Sequence, residues 1–308
     1  MLQQAQEFAV RVWVSNRSRV WLVDALLLFI GISWGYTFVL TKYVIQTMPV
    51  FLFLGTRFFI AGIILAVILF VKGKVPPSRK DLRQGAIAGL LLSAAYSLQT
   101  FGMLHTTPGM AGMITELTTI MTPFFYFATT RIPVGKIATL ATFIAFSGSF
   151  MMEWNGHGMH FHSGDWLVLL CDFAYAAHLL LVDRKVEELN VFSYIVVQLL
   201  TVGVACMTLG LFTETFPSHL SDFQWFAYIY ELIFGTLLAY VVQIFAQKYT
   251  NPTHVVIILS VEGPFSLFFS WLQWGEHMTV FKGSGALLIF VAALLVEMFG
   301  MRGKDTMT

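Results

Sequence analysis

The chain has 308 residues, of which 57% are apolar and 11% charged, with a formal net charge of +1. A water-soluble domain carries roughly 25% charged residues, so this composition excludes one that wets its whole surface. The near-neutral balance argues against nucleic acid as a partner.

Residues 1–20 read as a cytoplasmic N-terminal segment. Arg11, Arg17 and Arg19 stand beside Phe8, Val12 and Trp13, which suits a short helix lying on a membrane surface. Apolar runs of about 20 residues with short polar breaks follow, as membrane-spanning helices do. Ten spans are expected: 21–42, 49–71, 84–104, 107–128, 134–152, 164–183, 191–212, 223–247, 254–274 and 279–299. The first has no small-residue cleavage site and is followed at once by another span, so it is not a signal peptide. Residues 300–308 are a cytoplasmic tail. Cys171 and Cys206 lie inside apolar runs and read as small core residues, with neither a disulfide nor a metal site implied.

Orientation follows from the basic residues. With the N-terminus inside, fifteen of the 18 Lys and Arg residues fall in cytoplasmic segments and only Lys42 and Lys282 outside; Arg57 is within a span. The positive-inside rule therefore puts both termini in the cytoplasm of a multi-pass protein of the cell's inner membrane. The outer loop "NGHGMHFH" holds His157, His160 and His162, but no acid or cysteine completes a metal set, and it reads as solvated.

The sequence repeats itself. "AYSLQTF" at 95–101 returns 144 positions later as "AYVVQIF" at 239–245, and Thr106, Pro108, Ile114, Phe124, Phe125 and Glu153 match Thr250, Pro252, Ile258, Phe268, Phe269 and Glu297 at the same offset. At 141 positions, Phe51, Arg57 and Gly62 align with Phe192, Gln198 and Gly203. Residues 21–152 and 164–299 are thus two versions of a five-span unit. Because five is odd, the second unit enters the membrane from the opposite side. The expected fold is an all-α integral membrane protein of ten helices in two inverted five-helix repeats, the pattern of secondary transporters with a midplane site.

"SWGYTFVLTKYVI" in the first span, "LGTRFFIAG" in the second and "VEGPFSLFFSWLQWGEHMT" near the end resemble EamA-type members of the drug/metabolite transporter superfamily. The resemblance covers nearly all of 22–299, and its most specific piece is Gly275, Glu276 and Thr279. The first repeat has Arg131, Ile132 and Pro133 near that place, so only the second keeps the pattern. The resemblance implies a basket of helices that moves small metabolites, often outward, by alternating access, and leaves the substrate open.

Each ionisable group inside a span needs a reason, because it costs roughly 2.5–3.5 kcal/mol at the bilayer centre. Glu116 and Glu262 lie about nine residues into spans 4 and 9. Glu116 shares a helical face with Gly109, Gly112, Thr119 and Pro123, fit for a cavity wall or a close helix contact. Ser93, Tyr96 and Gln99 share a face of span 3, and Thr236, Tyr240, Gln243 and Gln247 a face of span 8; such groups must meet protein or water. The Tyr–Gln pairs read as twin cavity walls or as interhelical hydrogen bonds. Asp172, Tyr175 and His178 follow one another at spacings of three on span 6, and Trp34 and Phe38 form an aromatic pair one turn apart on span 1. Arg57 is expected in a structural ion pair. Glu231 is nine residues from Tyr240, about 180° around an α-helix, and is expected to face away from that wall. Glu153 and Glu297 read as interfacial.

The interior acids Glu116, Glu262 and Asp172 outnumber the one interior cation, which argues against phosphorylated cargo. The expected substrate is a small cationic or zwitterionic metabolite, such as an amino acid or amine, bound by Glu116, Glu262, Tyr96, Gln99, Tyr240, Gln243, Trp34, Phe38 and Tyr175. Glu116, Glu262, Asp172 and His178 are the candidate proton carriers. No phosphate loop, cofactor motif or nucleophile–base pair is visible. The protein is expected to act as a monomer or homodimer; the alternatives are broad drug efflux, an intramembrane enzyme or a channel.

Overall fold

The computed structural model describes residues 2–73, 76–131, 135–154, 162–185, 189–247 and 252–299. His157, His160 and the tail lie outside the described residues, as do the side chains of 2–20, Pro123, Glu153 and Glu297. The regular structure among the described residues is helical throughout: α1 (Leu2–Val44), α2 (Val50–Val71), α3 (Arg79–Met103), α4 (Pro108–Thr115), α5 (Leu117–Thr130), α6 (Lys136–Glu153), α7 (Ser163–Lys185), α8 (Val191–Thr213), α9 (Asp222–Tyr230), α10 (Leu238–Gln247), α11 (Pro252–Leu259), α12 (Glu262–Phe269) and α13 (Val280–Phe299). Two π-helical segments, Glu231–Leu237 and Ser270–Trp274, join α9 to α10 and extend α12.

Among the described residues, seven stretches are long and apolar enough to cross a membrane: Trp21–Val44, Val50–Val71, Arg79–Met103, Ser163–Arg184, Val191–Thr213, Asp222–Gln247 and His254–Trp274. Of the other three expected spans, 107–128 is divided at Glu116, while 134–152 and 279–299 hold the shorter apolar stretches Thr139–Gly148 and Val280–Ala292.

Local sequence explains where helices begin. Ser78 and Asp81 form a capping box at α3, and Ser221 and Gln224 do the same at α9. Thr107 caps α4 with Pro108 in the first turn, where its missing N–H leaves no donor orphaned. Asn190 caps α8 by accepting from the Ser193 amide.

The sequence repeat is also a repeat of backbone. α4 and α11 have equal lengths at the 144-residue offset, and both end in a break, at Glu116 and at Ser260–Val261. Arg131 and Gly275, one offset apart, both adopt left-handed backbone, with φ of 61° and 80°. Only glycine does so without a steric cost of roughly 1–2 kcal/mol, so the first repeat keeps the turn although it has lost the glycine. Between the halves, α2 lies along α8 in a reciprocal contact. A Cβ on Gly62 would fall 2.7 Å from the Leu200 side chain, and one on Gly203 would fall 2.5 Å from the Phe59 backbone. Phe59 and Leu200 are themselves 141 apart, so each half presents the same glycine to the same neighbour. Small residues permit the close approach that packs helices in lipid.

Candidate functional site

Both halves contribute to a cavity of about 90 Å³, taken as the volume open to the centre of a water molecule. A single water needs roughly 10–15 Å³ by that measure, so the space admits several waters or a small metabolite.

Tyr96, Gln99, Tyr240 and Gln243 all line it. The two tyrosines, one repeat apart, meet hydroxyl to hydroxyl at 3.0 Å. Gln99 donates to the Thr115 hydroxyl at 3.1 Å and accepts from the Tyr175 hydroxyl at 3.1 Å. Gln243 is buried, and among the described residues its Oε1 has no hydrogen-bond partner. The other members of those faces turn elsewhere: Ser93 donates to the Gly89 carbonyl in its own helix, and Gln247 to the Leu179 carbonyl. Trp34 and Phe38 complete the aromatic lining. Trp34 donates its indole N–H to the Gly235 carbonyl at 3.0 Å, and its ring lies 6.1 Å from that of Tyr240.

The two midplane glutamates hold different positions. Glu116 Oε1 accepts the Gly263 amide at 2.7 Å. It thereby caps the start of α12 from the broken helix of the other half, satisfying a donor that a helix N-terminus leaves open. On the face expected on span 4, a Cβ on Gly112 would lie 2.0 Å from Ser266 Oγ of α12, and one on Gly109 would lie 2.4 Å from Glu276 Oε2 in the segment before α13. Gly112 therefore makes a close helix contact and Gly109 a close contact with the Glu276 side chain, and Glu116 and Thr119 line the cavity beside them. Glu262, at the break of the second half, also lines the cavity, and among the described residues its carboxyl makes no hydrogen bond or ion pair.

On α7, Tyr175 and His178 reach the cavity but Asp172 does not. Asp172 is fully buried and accepts from the Thr118 hydroxyl at 3.2 Å. His178 Nε2 lies 3.0 Å from Gln198 Oε1.

Arg57 has the ion pair expected of it. Its Nη1 bonds Glu231 Oε2, and its guanidinium packs on Phe53, Phe58 and Tyr96 at 4.8, 4.8 and 5.1 Å. Thr41 donates to the other Glu231 oxygen. The expectation that Glu231 turns away is corrected here, because Glu231 lines the same cavity as Tyr240. Residues 231–237 are π-helical and advance less than the roughly 100° per residue of an α-helix. Seven such residues bring Glu231 back to the cavity side. Thr37, Thr41 and Gly235 are further lining residues that sequence reasoning missed.

Broken helices that meet between two similar halves around a shared cavity match the architecture of membrane transporters. The sequence profile of the EamA-like transporter family matches residues 21–154 and 162–298. The chain belongs to the EamA-like transporter family. Like its family, it is a multi-pass membrane protein. An uncharacterized transporter of Archaeoglobus fulgidus is 26% identical over 276 residues, covering 89% of this chain and 85% of that one. The uncharacterized transporter YoaV of Bacillus subtilis is 24% identical over 87% of this chain and 94% of its own length. The uncharacterized inner membrane transporter YedA of Escherichia coli K12 is 22% identical over 87% and 88%. A solved crystal structure superposes with a TM-score of 0.71 at 14% identity, covering 90% of this chain and 97% of that one, a likeness of fold alone.

Proposed function

We propose that this EamA-family chain is a secondary transporter of a small cationic or zwitterionic metabolite, such as an amino acid or amine, working by alternating access. Its ten spans form two inverted five-helix repeats with both termini in the cytoplasm. Outward movement of cargo rests on the family resemblance, and exchange of cargo for a proton on the charge of the cavity.

One observation carries the reading. Among the described residues, four charged side chains line the cavity; Arg57 and Glu231 neutralise each other, and Glu116 and Glu262 have no cationic partner there. A cation entering the cavity meets carboxyl oxygens and the aromatic side chains of Trp34 and Phe38, a combination that favours ammonium groups and repels phosphate. Glu116 is engaged as a helix cap, so Glu262 is the primary cargo and proton acid. Tyr96, Gln99, Tyr175, Tyr240 and Gln243 supply orientation, and His178 is a second proton carrier in this scheme.

The reading is tested by counterflow in proteoliposomes. The wild-type protein should accumulate a labelled cationic amine or amino acid against unlabelled cargo, and Glu262→Gln should lose most of that uptake. Uptake by Glu262→Gln at the wild-type rate would overturn the assignment.

A further inference from the structure

Two carboxylates outside the cavity fasten the halves together at equivalent places. α4 of the first half and α11 of the second are counterparts at the 144-residue offset, which also pairs Met110 with His254. The first turn of each is held by an acid from the opposite half. Glu276 accepts the Gly109 amide at 3.2 Å and the Ser270 hydroxyl at 2.7 Å through Oε2, and the Lys282 ammonium at 2.9 Å through Oε1. Asp24 Oδ1 lies 3.0 Å from His254 Nε2, with both side chains almost fully buried. Neither acid lines the cavity, so neither is taken up by cargo. Asp24 is buried away from the cavity, which is expensive in a membrane protein unless its bonds are made, and its bond to His254 crosses between the halves. Part-buried Glu276 is held within its own half by Ser270 and Lys282 and reaches across to the Gly109 amide.

We propose that Glu276 on α4 and Asp24 on α11 are a pair of gate clasps, and that releasing each one opens the cavity to a different face of the membrane. The proposal rests on the inverted-repeat reading above. Inversion puts the start of α4 at the outer face and the start of α11 at the inner face, so the two clasps sit at opposite ends of one pathway. Their chemistry differs although their places correspond. The outer clasp grips a backbone amide, which Gly109 leaves open by having no Cβ, whereas the inner clasp grips a side chain. A transporter must not open at both ends together, and two separately breakable seams satisfy that requirement.

The test uses Ser260→Cys, a near-isosteric reporter on the cavity wall, with wild-type protein as the blank because Cys171 and Cys206 are buried. A membrane-impermeant maleimide is applied to right-side-out and to inside-out vesicles. Glu276→Gln should raise labelling from the outer face about tenfold, the weight of one hydrogen bond to a charged group, with no change from the inner face. Gly109→Ala touches no charge, but its new methyl displaces Glu276, and it should reproduce that result. Asp24→Asn and His254→Gln should raise labelling from the inner face alone. Gel filtration and thermal unfolding verify that each variant is folded. Labelling that rises from the same face for both clasps, rises equally from both faces, or is unmoved in folded variants overturns the proposal. None of these rates requires cargo, so the clasps are tested even if the cation reading fails in the transport assay.

Discussion

Neutralising Glu231 should expose how much the cavity wall depends on one buried ion pair. Arg57 and Glu231 are each only 2% exposed, so the pair is shielded from bulk solvent. Glu231→Gln keeps the shape and a carbonyl for Thr41, but leaves a buried guanidinium without a counter-charge, at a cost of roughly 3–5 kcal/mol. The rings of Phe53, Phe58 and Tyr96 face Arg57 with and without Glu231, so their cation–π attraction of about 1 kcal/mol each cancels in the comparison. Arg57→Gln leaves the opposite fault, a buried carboxyl without its cation. The double variant has two amides that can bond each other and no charge to strand. Its loss should therefore fall short of the sum of the singles by about 3 kcal/mol. Unfolding of the four proteins in mixed micelles by titration with SDS measures this coupling. Additivity to within about 0.5 kcal/mol would refute the reasoning, leaving the π-helical backbone as the only reason for Glu231's position.

Glu116→Gln should cost stability before it costs cargo affinity, because the amide is a poorer acceptor for Gly263 than the carboxyl; unchanged thermal unfolding would contradict its role as a cap. Gly112→Ala drives a methyl into Ser266 and should destabilise by about 1–3 kcal/mol, as overpacking does, and Ser266→Gly should recover most of the loss in the double variant. Cysteines at Gln99 and Gln243, in a background lacking Cys171 and Cys206, should change their labelling rates in opposite directions when cargo is added. Sites equally inert with and without cargo would mark the Tyr–Gln repeat as scaffolding. A reporter fused after Thr308 should read cytoplasmic, and an outer-face signal would reverse the orientation.

The parts of the site legible in the sequence were those written with α-helical spacing. Tyr96 and Gln99 keep a spacing of three within regular helix, as do Tyr240 and Gln243, and both pairs reach the same cavity. Glu231 was misread because the spacing rule assumes α-helix and nothing in "ELIFGTL" announces a π-helical turn. Gly109 and Gly112 were correctly grouped with Glu116, but only coordinates separate a tight helix contact from a cavity wall. Asp24 was within reach of sequence reasoning. It is an ionisable residue inside the first span, and the rule that singled out Glu116 and Glu262 applies to it equally. Its partner was not legible, since His254 lies 230 residues away in the other half. The breaks at Glu116 and Ser260–Val261 escaped notice for another reason. An apolar run scored over twenty residues averages across one irregular turn.

The central claim is that the cavity selects a positive charge through Glu262, and binding to the purified protein tests it most directly. Three small aromatic compounds of matched skeleton serve as probes: an amine, the corresponding amino acid and the corresponding carboxylate. A ligand that binds only the folded state raises its thermal midpoint in proportion to the logarithm of concentration over Kd. The amine and the amino acid should raise the midpoint of the wild-type protein, the carboxylate should not, and Glu262→Gln should abolish the response to the amine. Stabilisation by the carboxylate alone, or an undiminished response of Glu262→Gln to the amine, would contradict the account.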